Sequence, residues 1–123
     1  MVSNIDLANF EQVYQQYRVF IMDIDGTLMN GSGLIPGVSE KIFQLMTDET
    51  KKVLFFSNGG YCNVATTMKK VVDWLRDDLS AEKFSTIEPM LTKSLVYNTA
   101  ALTGTWLKTK LEPGAKILCL GNE

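Results

Sequence analysis

Asp23 and Asp25 close the apolar run Phe20-Ile21-Met22-Asp23-Ile24-Asp25, and Gly26-Thr27-Leu28 follows at once. Along a strand, side chains two apart project to the same side, so both carboxylates can face one point beyond the strand's carboxyl end. Like charges held that close repel unless a cation or a shared proton compensates. Open α/β sheets bind ligands outside the carboxyl ends of their strands. The plainer alternative is a strand ending in a polar turn, because Asp and Gly are common turn residues. Asp-x-Asp-Gly-Thr fixes four positions, which chance supplies about once in 10^5 start positions at average residue frequencies. The string reads as a site.

A second cluster follows another apolar run. Lys52-Val53-Leu54-Phe55-Phe56 ends in Ser57-Asn58-Gly59-Gly60. Ser57 offers a hydroxyl, and Asn58, Gly59 and Gly60 offer backbone N–H groups. A helix beginning near Asn63 adds the positive end of its dipole. Such a set suits an anionic oxygen. The chain contains no histidine, which removes Ser-His-Asp and Cys-His mechanisms and the commonest zinc ligand. Catalysis here must use carboxylates, hydroxyls, lysines or a borrowed metal ion.

The elements that position these residues follow from periodicity. Ser3 with Asp6 makes a capped start for a helix carrying Leu7, Phe10, Tyr14 and Tyr17. Val19 to Ile24 reads as a buried strand, and Gly26 to Gly37 as a loop or small hairpin. Ser39 starts a helix with Ile42, Phe43, Leu45 and Met46 on one side, ending before Lys51. Val53 to Phe56 is the second strand. Val64, Met68, Val71, Val72 and Leu75 define the next helix, with Trp74 on its border. Asp77 to Pro89 reads as polar and irregular. Val96, Ala100, Thr103 and Leu107 predict a helix to Lys110, ended by Glu112-Pro113-Gly114. Ala115 to Leu120 is the third expected strand. Strands separated by helices point to right-handed βαβ units and a parallel sheet. Trp74 and Trp106 are expected in or beside the core. Lys51-Lys52 and Lys69-Lys70 are expected on solvated faces, and Asp77-Asp78 in a surface turn.

The 123 residues fit one domain, near the lower end for a doubly wound sheet. Apolar residues make up 46% and charged residues 21%, the balance of an ordinary globular chain. A net charge of −2 gives no electrostatic case for nucleic acid or an anionic membrane. No apolar run approaches the roughly 20 residues of a membrane span. The amino terminus shows no signal-peptide pattern, and Cys62 and Cys119 have no metal-type spacing. Reduced thiols and a cytoplasmic location are the expectation.

Asp23-Ile24-Asp25-Gly26-Thr27 after an apolar strand resembles the first motif of the haloacid dehalogenase (HAD) superfamily of phosphatases. Ser57 at the end of the next strand resembles the second. The span from Gly31 to Leu45 with Ile35-Pro36-Gly37, and the Ser57-Asn58 doublet, are similar to the nitrophenylphosphatase and phosphoglycolate phosphatase branch. The resemblance implies a three-layer, Rossmann-like α/β fold, with helices on both faces of a parallel sheet. It implies Mg2+-dependent hydrolysis of a small phosphorylated metabolite. Asp23 would be the nucleophile that forms an aspartyl-phosphate, and Asp25 the acid and then the base. Asp23 and the Asp25 carbonyl would bind Mg2+, Ser57, Asn58 and Gly59 would hold the phosphate, and Gly26 and Thr27 would shape and brace the loop.

The family's third-motif lysine and its later acidic motif have no counterpart in 1–123, and neither does its cap. The expectation is therefore an incomplete core, the amino-terminal portion of a phosphatase. Without later strands, Val19 to Ile24 would form an unpaired apolar edge prone to self-association. Two other readings remain. One is a non-catalytic remnant or binding module. The other is a phosphoacceptor receiver domain, which would need an aspartate where Ser57 stands and a lysine after a late strand, whereas Lys116 opens one.

Overall fold

The computed structural model describes residues 10–31, 33–58 and 63–116. Three parallel strands form the sheet: β1 (Val19–Asp23), β4 (Lys52–Ser57) and β5 (Val96–Asn98), in the order β1-β4-β5. A small antiparallel hairpin, β2 (Met29–Asn30) and β3 (Gly33–Leu34), lies between β1 and the first crossover helix. Helices α1 (Phe10–Gln16), α2 (Val38–Thr47), α3 (Val64–Asp78), α4 (Ala81–Ile87) and α5 (Thr99–Lys110) complete the described chain. The result is an α/β fold, a parallel three-stranded sheet flanked by helices.

Sequence alternation decides what each face of the sheet meets. Paired residues of parallel strands share a face, and the register sets Phe20 against Val53, Met22 against Phe55 and Phe55 against Val96. Val53, Phe55 and Val96 are buried, with Phe55 wholly out of water. Against them pack Ile42 and Leu45 of α2 and Met68, Val71 and Leu75 of α3, all in one core cluster. These helical residues recur every three or four positions, so each helix gives one apolar stripe to the sheet.

Local signals fix the helix ends. The Asn63 side chain accepts the Thr66 N–H at 2.8 Å and caps α3, and Ser80 caps α4 through the Lys83 N–H. Gly37 precedes α2 at φ 84, a left-handed turn that disfavours any residue with a Cβ. No helix among the described residues is long and apolar enough to cross a membrane.

Several expectations shift. The hairpin reading of Gly26 to Gly37 holds, and the strand from Val19 ends at Asp23, although the Ile24 N–H still bonds the Phe56 carbonyl at 3.0 Å. Residues 81–87 are helical, not irregular, because Ser80 caps them and Phe84 and Ile87 reach the core. The third strand of the described sheet is Val96–Asn98, where a helix was expected; pairing with β4 overrides the helical spacing, and α5 begins only at Thr99. Ala115 and Lys116 are in no strand, while 117–120 lie outside the described residues, as do Ser3, Asp6, Leu7 and both cysteines. Trp106 is 58% exposed rather than packed.

The other face of the sheet is open. Val19 and Ile21 of edge strand β1 are 51% and 67% exposed, and Tyr97 of β5 and Leu102 of α5 are also exposed. Among the described residues, nothing pairs with the outer edge of β1.

Helix α1 is tied down by one polar knot. The Tyr14 hydroxyl donates to Asp48, just past α2, and Lys51 donates to the Tyr14 carbonyl and, at 2.9 Å, to that of Tyr17. Lys51 also lies over the Tyr14 ring, so it is not simply a solvated lysine. Hydrogen bonds from Thr50 and Tyr14 hold the Asp48 carboxyl down to about 2, and the bond to Asp48 pushes the Tyr14 phenol up to about 12. The depressed carboxyl stabilises the fold above its ordinary value of 3.8, and this is lost as pH falls toward 2. The raised phenol stabilises it below 10.0, and this is lost as pH rises toward 12. Tyr14→Phe should therefore be less stable than the parent at pH 7, with the gap closing between pH 10 and 12; an unchanged gap in alkaline denaturation curves would contradict this. Phe55→Ala, at the centre of the sheet, should cost about 3–5 kcal/mol by urea denaturation. A loss below about 1 kcal/mol would mean that the core is built elsewhere.

Candidate active site

The carboxyl ends of β1 and β4 bring the first cluster to the second. Asp23 is the last residue of β1 and stands opposite Phe56, so Ser57 sits one step beyond that pair. Ile24 turns into the core at 3% exposure, while its neighbours Asp23 and Asp25 remain partly or fully open to solvent. The alternation that buries Ile24 thus sends both carboxylates the other way.

A tight turn holds the loop after the strand. The Gly26 N–H bonds the Met29 carbonyl at 2.9 Å, and the N–H groups of Leu28 and Met29 both reach the Ile24 carbonyl. Gly26 takes φ 81, where a side chain would strain the backbone even though the space around it is open. Leu28 plugs into the core at 6% exposure and anchors the turn from below.

Each carboxylate has a hydroxyl partner from a different place. Thr27 Oγ1 donates to Asp23 Oδ2 at 3.3 Å, and Ser57 Oγ donates to Asp25 Oδ2 at 3.3 Å. Ser57 is 5% exposed, so its hydroxyl is fixed at the floor of the site rather than free in solvent. Asn58 is exposed, and its carbonyl accepts from Thr99 Oγ1 at 3.3 Å. Gly59 and Gly60 lie outside the described residues, so the glycine half of the second cluster has no described geometry. Asn63, the cap of α3, follows them.

Two negative side chains thus stand at one sheet end. Among the described residues, no lysine or arginine forms an ion pair with either; the ion pairs are Lys69–Asp73, Arg76–Asp73, Arg76–Glu88 and Lys83–Glu40. Carboxylate and backbone carbonyl oxygens are hard donors that suit Mg2+. No cluster of three or more acidic or thiol side chains exists among the described residues, so Asp23 and Asp25 would supply only part of a coordination shell. The donor chemistry fits the ion.

One cavity borders this site without joining it. A space of about 330 Å³ beneath α1 is lined by Phe10, Phe20, Met22, Leu28 and Ile42, with Thr27 at its boundary. Its lining is almost wholly apolar, and Lys41 is its one charged residue. It does not suit a phosphate.

Sequence reasoning missed the end of β5. Asn98 pairs with Ser57 in the sheet and is 1% exposed, and Thr99 touches Asn58. The signal was present: an asparagine preceding a helical run is a cap, and the Asn98 side chain accepts the Ala101 N–H at 2.8 Å.

Comparison with known proteins identifies relatives of the chain. The chain is 29% identical over 112 residues to a 4-nitrophenylphosphatase of Schizosaccharomyces pombe, covering 91% of this chain and 34% of that protein. It thus spans about a third of the length of that curated relative. No solved structure matches. A family profile described as haloacid dehalogenase-like hydrolase matches residues 20–123, from the first strand through both clusters, and the chain belongs to that family.

Proposed function

We propose that this chain carries the nucleophile and the acid–base group of a Mg2+-dependent phosphomonoesterase acting on a small phosphorylated metabolite. The observation that carries the reading is the placement of Asp23 and Asp25 at one sheet end, each held by a separate hydroxyl. The phosphatase relative supports the reaction class.

In this reading an Asp23 oxygen attacks phosphorus while the bond to the leaving oxygen breaks, giving an aspartyl-phosphate. The Thr27 hydroxyl holds the other Asp23 oxygen and limits the rotation of the carboxylate. Asp25, entering as the acid, gives its proton to the leaving oxygen, which departs as an alcohol. It then takes a proton from water as that water attacks phosphorus, and the bond to Asp23 breaks to release inorganic phosphate. General acid–base help of this kind contributes about 10^2–10^4 in rate. Ser57 keeps Asp25 in place and can turn its hydroxyl toward a phosphoryl oxygen, while backbone N–H groups of Asn58 and Gly59 complete the anion cradle. Bound through Asp23 and the Asp25 carbonyl, Mg2+ would offset the charge of the crowded oxygens.

The 123 residues contain no lysine or second acidic pair placed as the family resemblance requires, so the activity is assigned to the protein whose core these residues build. In the isolated chain, the exposed Val19 and Ile21 leave β1 ready to pair, and we expect a second copy to add along that edge. Sedimentation should show concentration-dependent association that Ile21→Lys abolishes; a monomer at every concentration would contradict this.

Hydrolysis of 4-nitrophenyl phosphate with Mg2+ tests the main reading. Asp23→Asn should lower the rate by about 10^3 or more, and chelation of the metal should silence the parent. Asp25→Asn should cost more with an alkyl phosphate than with the nitrophenyl ester, since nitrophenolate leaves without needing a proton. Equal losses on both esters would remove Asp25 from its role as acid. The assay uses the protein whose core these residues build, and silence of that protein, folded and with its metal, would favour a non-catalytic binding remnant.

A further inference from the structure

The cavity beneath α1 is a second place with room for a molecule, apart from the paired carboxylates. Residues of α1, β1 and α2 line its space of about 330 Å³. An apolar cavity of about 150 Å³ is enough to hold benzene, so this one takes an apolar body roughly twice that size. It also reaches the range of small-molecule pockets, about 300–1,000 Å³. Much of its wall is the core itself. Leu28, Ile42 and Leu45 are buried there, and Phe20 and Met22 pack against them.

Lys41 interrupts this apolar lining. It is half-buried and is the one charged residue at the cavity among the described residues. Its Nζ lies 4.6 Å from the centroid of the Phe10 ring and 3.4 Å from Gln44 Oε1. Neither group carries a negative charge. None of the ion pairs among the described residues includes Lys41, and the carboxylate of its neighbour Glu40 is taken by Lys83. Withdrawing a cation from water without a counter-ion is costly, and attraction to a ring face offsets only part of that cost. The mouth of an apolar space thus carries a positive charge that lacks an anion.

We propose that this cavity binds a small amphiphilic carboxylate, its apolar body inside and its single negative charge on Lys41. One lysine in an otherwise apolar lining suits a monoanion. A phosphate ester would bring a second charge that no other group at the cavity meets. The proposal is independent of the phosphatase reading of Asp23 and Asp25, and it gives the ligand no part in that chemistry.

The full chain, labelled with 13C at its methyl groups, is titrated with sodium octanoate and, separately, with 1-octanol. With octanoate, methyl resonances of Leu28, Ile42 and Leu45 should shift saturably, while Ile87 in the core beside α4 stays in place. Lys41→Gln should weaken octanoate about tenfold, between the worth of an exposed ion pair and that of a buried charged hydrogen bond. It should leave octanol unchanged, and Lys41→Arg should keep octanoate. Equal losses for both probes would make Lys41 a part of the cavity's shape and overturn the proposal. No saturable shift at the lining would overturn it too. Shifts at Ile21 and Leu102 alone would place the amphiphile on the open sheet face and count against it. Lining shifts that follow protein concentration instead of octanoate would put a second copy in the cavity, again overturning it.

Discussion

The parallel pairing of β1 with β4 is the constraint on which the rest depends. Five residues of β1 lie in register with β4, and the ladder runs one step further through the Ile24 N–H and the Phe56 carbonyl. That extra bond holds the backbone extended until it reaches Asp25, beside Ser57. A slip of one residue would exchange the two faces of β1. It would carry Phe20, Met22 and Ile24 out of the core and turn the aspartates toward it. The apolar core and the polar site are therefore set by the same register.

The polar end is built from contacts between segments distant in sequence. Thr27 holds Asp23 from within the turn, Ser57 holds Asp25 from the next strand, and Thr99 holds the carbonyl beyond Ser57 from the start of α5. Each bond is individually modest. Together they let three strand ends present oxygens and N–H groups at one end of the sheet, while Leu28 and Ile24 anchor the turn from the core side. The opposite sheet face and the edge of β1 carry exposed apolar residues instead.

Much of this was legible in the sequence because it is local. Two aspartates two apart, a glycine at the turn and a serine closing the next apolar run are spacing signals, and strands β1 and β4 are long enough to read. Strand β5 was not legible. Three residues, Val96-Tyr97-Asn98, carry no period of their own, and their spacing to Ala100, Thr103 and Leu107 mimics a helix. Only pairing with β4 makes them a strand, which is a tertiary effect. Helix α4 escaped notice because it buries just Phe84 and Ile87 in seven residues. Missing β5 also hid Asn98 and Thr99, since a residue's place at a sheet end cannot be read before the strand is seen. Trp106 misleads for a related reason: a large apolar ring at helical spacing signals core, although α5 offers no buried residue.

The most direct test of Asp23 as the reacting group is to trap what it would form. The chain is incubated with acetyl phosphate and Mg2+, quenched in acid, and its peptides are read by mass spectrometry. The expected result is a single phosphoryl group on the peptide containing Asp23, labile to hydroxylamine and absent from Asp23→Asn. A phosphoryl group on Ser57 or elsewhere, or one that persists in Asp23→Asn, would contradict the assignment of Asp23 as nucleophile.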